Sequence, residues 1–480
     1  MARKYPTPTS AIPKGKERPV PKDARANLLP MLDLLLKHLT PALCEAVFKK
    51  HRRTERERKW TLYAVNLFWA AMIIRQPPAI EQGLAETRKG RSRDRLWPRV
   101  QASAQAFYQK AAGLRADLFL AVYEAFVANI LPQAPRTYAS WMSGLRKQFA
   151  EVLLVDGSRL DAIAHQLKML RPHRRVVLGG CVTVYYDLWR GIPRRLFFYA
   201  DAAKAELTRA LETLSWIPKG ALLVGDRLYS SSPKFFAALN VVGAYGLFRL
   251  NGVLGIRRAK VLARHQDRLG FVEDALVTIG SGQRGIPPQT VRRIRYRRHG
   301  MRRDILTSVL DPKKLSLEDI LAIYGLRWSI ERMFLDLKET MDLHTLYAAH
   351  PNLVGQQVYA TAMVYTAFRI AQAKIAEKAD VLPEQISPAK LFPKLAQAAN
   401  DYCVAQITLL KVKAMNPGVE LKLPRYDVVV RSSQTRLRAI LARPRTTDRR
   451  RQRFCPSRRR WTSIRRIPGG TSLLQSVHDG

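Results

Sequence analysis

The 480-residue sequence is poor in acidic residues. Asp and Glu together number 38, against 82 Lys and Arg, so the formal net charge at pH 7 is +44. The strong positive electrostatic field of such a charge gives no advantage to an enzyme that acts on small metabolites. It favours a polyanionic partner, because each phosphate that a protein neutralises releases condensed counterions. We therefore expect nucleic acid as the partner, ahead of an anionic membrane surface.

Closely spaced cysteines and long apolar runs are also lacking. The four cysteines lie far apart and form no C-x-x-C pair, at Cys44, Cys181, Cys403 and Cys455. This spacing argues against a disulfide framework and against a zinc site. The longest uncharged apolar run, Leu353–Phe368, contains two glutamines and is too short to span a membrane comfortably. The basic N-terminal segment has no apolar core of a secretory signal, so we expect a cytoplasmic, nucleoid-associated protein.

Residues 27–148 have the pattern of an all-α region. Apolar residues recur at helical spacing from Leu28 to Leu39 and again from Trp60 to Met72. Between these helices, the basic run Lys49–Lys59 is either a solvated helix face or a segment that contacts DNA. Residues 1–26 are predicted to be a disordered basic leader, and residues 27–148 a helical DNA-binding domain.

Short apolar runs typical of buried strands dominate residues 149–250. Several of these runs alternate with helical stretches, which predicts a mixed α/β sheet with helices packed on it. Residues 251–311 are rich in strand-forming residues and very basic, with seven arginines between Arg292 and Arg303. We interpret them as a β-rich insertion of strands and hairpins.

Helices return after this insertion. An amphipathic helix is predicted from about Ser316 to Leu343 with a break near Arg327, and further helices follow to residue 413. Residues 414–480 form an Arg-rich C-terminal tail, with eleven arginines from Arg443 to Arg466. We expect this tail to be disordered or to fold only on its partner.

Two acidic residues stand out by their position at the ends of apolar runs. Asp156 closes the run VLLV, and Asp226 closes the run LLVG. A carboxylate at the end of a buried strand is held rigidly, and two carboxylates brought close together favour a hard divalent cation between them. Each residue on its own is equally well explained as an ordinary turn residue after a strand.

A third acid lies in the segment YGLRWSIERMFLDLK. Arg327, Glu331 and Lys338 follow Tyr324 by three, seven and fourteen residues. At about 100° per residue, these four side chains fall within roughly 60° of one another on a helix. An isolated acid among basic groups suits a metal ligand flanked by phosphate-binding residues. The simpler interpretation is an ordinary i, i+4 salt bridge, which accounts for Arg327 with Glu331 but not for the strand-end acids.

At these residues the chain resembles the DDE transposases of bacterial insertion sequences, specifically the insertion sequence 4 group. The signature of this group, Y-x2-R-x3-E-x6-K, is matched without a gap at Tyr324, Arg327, Glu331 and Lys338. The two family aspartates match Asp156 in LLVDGS and Asp226 in LLVGDRLYS. The β-rich segment 251–311 matches the insertion of the group, and the resemblance covers roughly residues 151–350.

The resemblance implies an α/β fold whose catalytic domain, residues 149–250 and 312–413, is a ribonuclease-H-like mixed sheet. It implies that Asp156, Asp226 and Glu331 are catalytic and bind two Mg²⁺ ions, for which Mn²⁺ can substitute. Tyr324, Arg327 and Lys338 would hold DNA phosphates. Weaker candidates for DNA contact are Trp328, Arg292, Arg293, Arg295, Arg297 and Arg298. The implied partner is double-stranded DNA, at element ends and at the target, bound by a homodimer.

The implied activity is a transposase that cuts the ends of its insertion sequence and joins them to target DNA by hydrolysis and transesterification. One alternative is a DNA-binding or architectural protein without chemistry, or a degenerate transposase copy. Such a protein needs basic groups but no strand-end acids aligned with a helix-borne Glu. Another alternative is a nuclease that cuts without rejoining, which only a strand-transfer product distinguishes.

Overall fold

The computed structural model describes most of the chain between residues 25 and 415. The described residues are 25–27, 30–88, 96–135, 144–160, 179–267, 270–280, 286–298, 301–415, 434–436 and 465–466. Most of the basic leader and most of the Arg-rich tail lie outside these ranges, so the structure does not address those two predictions.

Among the described residues between 30 and 130, the region predicted to be helical forms six α-helices. These are α1 Pro30–His38, α2 Pro41–His51, α3 Leu62–Arg75, α4 Ile80–Arg88, α5 Ala104–Gly113 and α6 Ala116–Ile130. Thr40, Thr61 and Ser103 precede α2, α3 and α5, and each side-chain hydroxyl accepts a hydrogen bond from the backbone N–H three residues later. These contacts satisfy amides that a helix start leaves unpaired. Most of α3 is buried, so it forms the centre of this helical region.

The remaining helices are interleaved with the strands or follow them. They are α7 Leu145–Gln148, α8 Glu206–Glu212, α9 Pro233–Val241, α10 Leu317–Gly325, α11 Trp328–Leu335, α12 Pro351–Lys378 and α13 Pro388–Met415. A π-helical turn, Asp336–Thr340, continues α11. The predicted break near Arg327 is confirmed, because α10 ends at Gly325 and α11 begins at Trp328.

The described strands form one large mixed sheet and one small pair. They are β1 Arg25–Asn27, β2 Val152–Arg159, β3 Cys181–Asp187, β4 Ile192–Tyr199, β5 Leu222–Gly225, β6 Tyr245–Arg249, β7 Ile256–Asp267, β8 Gly270–Ile279, β9 Gln289–Arg298, β10 Met301–Thr307, β11 Gln434–Arg436 and β12 Arg465–Arg466. The strand order of the large sheet is β12-β7-β8-β9-β10-β6-β5-β2-β3-β4, and β1 pairs with β11. The mixed α/β architecture predicted from the sequence is confirmed.

Three neighbouring strands in the middle of this sheet are parallel. β2 pairs in parallel with β5, and β5 pairs in parallel with β6, whereas β3, β4 and β10 join antiparallel. The carboxyl ends of β2, β5 and β6 therefore meet at one edge of the sheet. The strands of the basic segment, β7 to β10, extend the same sheet through the pairing of β10 with β6.

Side chains on a strand alternate between two faces, and each face of the sheet has its own apolar core. The front face carries Leu154, Val224 and Leu247 and packs against α10, α11, α12 and the N-terminal helices. The back face carries Leu153, Leu223 and Phe248 and packs against α8 and α9. A residue two positions after Leu154, Val224 or Leu247 continues the front face.

Helix α12 contains the apolar run Leu353–Phe368 and is buried along most of its length. It packs against α1, α3, α5, α6 and β4, so its apolar residues belong to the protein core. Among the helices in the described part of the chain, none combines the length and the apolarity needed to cross a membrane.

Candidate active site

The two acids predicted at strand ends lie near each other, where the parallel pairing of β2 with β5 ends. Asp226 follows β5 as predicted, whereas Asp156 lies within β2, which continues to Arg159 by pairing with β3. Leu154 of β2 is in register with Val224 of β5, and Asp156 and Asp226 each follow this pair by two residues. Neighbouring strands are about 4.8 Å apart. Asp156 also pairs in register with Val184, a residue of the front-face core, so its carboxylate lies on the front face. The side chain of Asp226 accepts a 2.7 Å hydrogen bond from the backbone N–H of Leu228, which fixes the turn after β5.

The carboxyl group of Asp156 is in an environment that disfavours its charged form. The pKa of Asp156 is raised from 3.8 to about 7, mainly by burial and in addition by the carboxylates of Glu206 and Asp226. The backbone N–H of Gly157 and the guanidinium of Arg327 act in the opposite direction. Partly buried carboxylates that repel one another at one edge of a sheet form a site in which a cation relieves the repulsion.

Glu206 is a member of this site that the sequence analysis did not identify. It begins α8 on the back face, and the hydroxyl of Tyr229 donates a 2.7 Å hydrogen bond to its side chain. A Cβ atom added to Gly157 would lie 2.8 Å from the carboxyl carbon of Glu206, so the absence of a side chain at residue 157 provides the space that Glu206 occupies. Burial, followed by Glu206 and Asp156, raises the pKa of Tyr229.

The helix pair α10–α11 covers the front face beside these acids. Tyr324 is buried at the end of α10, and Arg327 and Glu331 form an ion pair of 2.7 Å across one turn. The pKa of Arg327 is raised despite its burial, because Tyr324, Glu331 and Asp156 all stabilise its charged form. Burial raises the pKa of Tyr324, which also interacts electrostatically with Asp226. Tyr324, Arg327 and the two aspartates therefore share one site.

Lys338 joins the same site from the π-helical turn. Its Nζ donates a 2.8 Å hydrogen bond to Oγ of Ser158, which follows Asp156 by two residues on the front face of β2. Burial lowers the pKa of Lys338. The turn after α11 is thus attached to the strand that carries the first acid.

The structure brings Asp156, Asp226, Tyr324, Arg327 and Lys338 to one edge of the sheet, and it directs Glu331 toward Arg327. Within the described part of the chain, no three His, Cys, Asp or Glu side chains converge closely enough to hold a metal ion. Glu331 is connected to the aspartates only indirectly. It pairs with Arg327, and Arg327 interacts electrostatically with Asp156. Trp328, beside Arg327, is 49% exposed, with the guanidinium of Arg327 5.4 Å from its ring centroid.

The arginines of β9 have two different environments. Arg292 is only 1% exposed, and its Nε donates to both carboxylate oxygens of Asp274 at 2.7 and 2.9 Å. Its Nη1 donates a 2.6 Å hydrogen bond to the backbone carbonyl of Leu315. These contacts give Arg292 a structural role rather than the predicted contact with DNA, because strand alternation turns its side chain to the buried face.

The next arginines of β9 alternate to the other face of the sheet and are partly exposed. Arg293 and Arg297 pair with Asp304 at 3.4 and 2.6 Å, and Arg295 lies 3.7 Å from Glu273 and 3.8 Å from Asp304. The side chain of Arg298 lies outside the described residues. Partial exposure leaves Arg293, Arg295 and Arg297 able to contact a ligand at the surface.

Residues 186–367 match the family model for a transposase DDE domain. A protein of Sinorhizobium fredii (strain NBRC 101917 / NGR234) with the name "Putative transposase y4zB" is 25% identical over 199 residues, which are 41% of this chain and 54% of that protein. The matched part of the chain thus spans about half the length of this curated relative. The family match and the relative support a transposase function and the transposable-element context that goes with it.

A cryo-EM structure of the piggyBac transposase synaptic complex with hairpin DNA aligns with 89% of this chain and 87% of that chain. The sequence identity is 9% and the TM-score is 0.35.

Proposed function

We propose that this protein is a DDE transposase of the insertion sequence 4 group. It cuts the ends of its element and joins them to target DNA through metal-dependent phosphodiester hydrolysis and transesterification. The observation that carries this proposal is the proximity of Asp156 and Asp226, each two residues beyond the registered pair Leu154–Val224 of neighbouring parallel strands. The helix pair that bears Tyr324, Arg327 and Glu331 covers both acids.

The two aspartates at the sheet edge supply the oxygen donors that a divalent cation prefers, and the third acid, Glu331, is paired with Arg327. Asp156 is partly buried among like charges, and hard cations such as Mg²⁺ and Mn²⁺ prefer carboxylate oxygens. Asp156, Asp226 and Glu331 would hold two such ions, and Glu331 would exchange Arg327 for metal. When bound, these ions would activate the attacking oxygen and stabilise the leaving oxygen of an in-line displacement.

The protein groups around the acids would position the DNA. Arg327 offers a planar fork that suits a phosphate, and Lys338 offers a point charge beside the strand of Asp156. Tyr324 interacts electrostatically with Arg327 and Asp226 and would fix the same phosphate. The exposed ring of Trp328 provides a surface on which a base can stack. Arg293, Arg295, Arg297 and Arg298 are weaker candidates for DNA contact further along the sheet.

The strand arrangement supports a ribonuclease-H-like core. An antiparallel meander, β2 to β4, is followed by β5 and β6, which join the other side of β2 in parallel. The first acid lies on the central strand β2, and the second follows the adjacent strand β5. Two element ends have to be held together during transposition, so we propose a homodimer on DNA, in the cytoplasm and associated with the nucleoid.

A strand-transfer assay tests this proposal against a nuclease that does not rejoin DNA. The purified protein is incubated with Mg²⁺, a supercoiled target plasmid and a labelled duplex that ends in the DNA flanking its gene. A transposase transfers the label covalently to the plasmid, and Asp226→Asn abolishes the transfer. Cut duplex without labelled plasmid would assign a nuclease instead, and binding without either product would assign a DNA-binding protein.

A further inference from the structure

Two arginines at the same sheet edge have no role in the site described above. Leu247 of β6 is in register with Val224 of β5, so Arg249, the last residue of β6, lies two residues beyond this pair, as Asp226 and Asp156 do on their strands. Arg249 is in register with Ile305 of β10, and Arg303 precedes Ile305 by two residues on the same face. The front face thus presents two acids on β2 and β5, followed by two arginines on β6 and β10.

Both arginines face Tyr324. The guanidinium carbon of Arg303 lies 5.7 Å from the centroid of the Tyr324 ring, and Arg249 also interacts electrostatically with this tyrosine. Arg303 is partly buried, and Arg249 is exposed. The strand β10 therefore contributes a cationic side chain to the site that the helix pair covers.

The cations around Tyr324 are crowded. Burial lowers the pKa of Arg303, Tyr324 opposes this effect, and the guanidiniums of Arg249 and Arg327 lower the pKa further. Three arginines therefore converge on one tyrosine, and the ion pair with Glu331 occupies Arg327. An anion bound between the arginines would offset this repulsion.

We propose that Arg249 and Arg303 together bind a DNA phosphate a few nucleotides or fewer from the one that is cut, on the same DNA strand. This inference rests on the proposed transposase function. The strand of Arg249 is one spacing of about 4.8 Å from that of Asp226, and the strand of Arg303 is two such spacings away. One strand of DNA advances about 3.4 Å per nucleotide, so the bound phosphate lies roughly one to three nucleotides from the cut. The site then consists of an acidic half for the reacting phosphate and a basic half that sets the register of the strand.

Salt dependence of binding tests this proposal without requiring catalysis. The probe is a fluorescent duplex that carries the flanking DNA of the gene, in EDTA, and the variants are Arg303→Gln, Arg249→Gln and the double variant. Loss of one phosphate contact lowers the slope of log affinity against log salt by about 0.9. We expect this loss in the double variant, with affinity about tenfold weaker at low salt. The charge-matched control is Lys219→Gln, an exposed residue before β5 at the opposite edge of the sheet.

Each outcome has a distinct meaning. A lower slope in Arg303→Gln that Arg303→Lys restores, at an unchanged melting temperature, supports the phosphate site. If Arg303→Gln lowers the melting temperature, its slope is not informative, and the exposed residue Arg249 provides the test instead. A lower slope in Arg249→Gln then supports the phosphate site. Wild-type slope and affinity in both single variants and the double variant overturn this inference and leave the proposed function intact. Failure of the wild type to bind the duplex contradicts the proposed function itself.

Discussion

Arg327, just before α11, and Glu331, in its first turn, form an ion pair with 2.7 Å between Nη2 of Arg327 and Oε1 of Glu331. Arg327 also stabilises the ionised form of Asp156, so one guanidinium links the helix-borne acid to the strand-end acids. In the proposed function, Glu331 would be a metal ligand, so Arg327 and a bound cation would compete for the same carboxylate.

Replacing Arg327 should change metal affinity and DNA affinity in opposite directions. Arg327→Gln removes the cation that competes for Glu331, so Mn²⁺ should bind several-fold more tightly to the protein alone. The same change removes a phosphate contact, so DNA should bind about tenfold more weakly. Isothermal titration with Mn²⁺ and fluorescence anisotropy with DNA measure the two effects. Weaker binding of both ligands would show that Arg327 supports the acids rather than competing with metal.

Metal binding should depend on pH near neutrality. The pKa of Asp156 is raised to about 7 in the metal-free protein, and a ligand carboxylate has to lose its proton before it binds metal. Mn²⁺ affinity should therefore fall below pH 7, by about tenfold per pH unit from this group, and level off above it. Titrations from acidic to alkaline pH measure this dependence.

Glu206→Gln provides the control for this pH dependence. Glu206 raises the pKa of Asp156, so its neutralisation should move the midpoint of Mn²⁺ affinity to lower pH without removing Asp156. A wild-type midpoint near 4, or a midpoint that stays in place in Glu206→Gln, would contradict the electrostatic coupling between these two residues.

Arg292 should matter for stability and not for DNA binding. Arg292→Gln leaves the buried carboxylate of Asp274 without its partner, which typically costs about 3–5 kcal/mol of unfolding free energy. Arg297→Gln, at a partly exposed ion pair, should cost about 1 kcal/mol or less. Urea denaturation measures both. If Arg292→Gln has unchanged stability but binds DNA more weakly, Arg292 contacts DNA and does not have the structural role assigned to it.

Sequence alone identified those parts of the site that lie on single elements. Asp156 and Asp226 were recognisable because each closes an apolar run, and the helical spacing of Tyr324, Arg327, Glu331 and Lys338 was readable directly. Neighbouring side chains on a strand point to opposite faces of the sheet, so Arg292 and Arg293 had to have different environments. Which of the two is buried depends on how β9 packs in the sheet, and the sequence does not reveal that.

Glu206 and Arg303 could not be predicted in the same way. Glu206 lies fifty residues after Asp156, and only the packing of α8 behind Gly157 brings the two carboxylates together. Arg303 reaches Tyr324 because β10 pairs with β6, a contact between elements distant in sequence. Neither relationship leaves a local pattern in the sequence, since each depends on sheet order.

Removal of the Arg-rich tail should flatten the salt dependence of DNA binding. The segment from Arg443 to Arg466 contains eleven arginines and one acidic residue. Each phosphate contact contributes about 0.9 to the slope of log affinity against log salt, so a variant that ends at Arg443 should have a clearly smaller slope. Binding titrations over a range of KCl concentrations measure it. An unchanged slope would show that the tail does not touch DNA.

The most direct test of the central claim is DNA cleavage by the wild type beside Glu331→Gln. Both proteins are incubated with Mg²⁺, and separately with Mn²⁺, and a labelled duplex that carries the flanking DNA of the gene. We expect the wild type to cut at a discrete junction only when metal is present, and Glu331→Gln to bind the duplex almost as tightly without cutting it. Cleavage by Glu331→Gln at a rate near that of the wild type, or binding without cleavage by the wild type in both metals, would contradict the account.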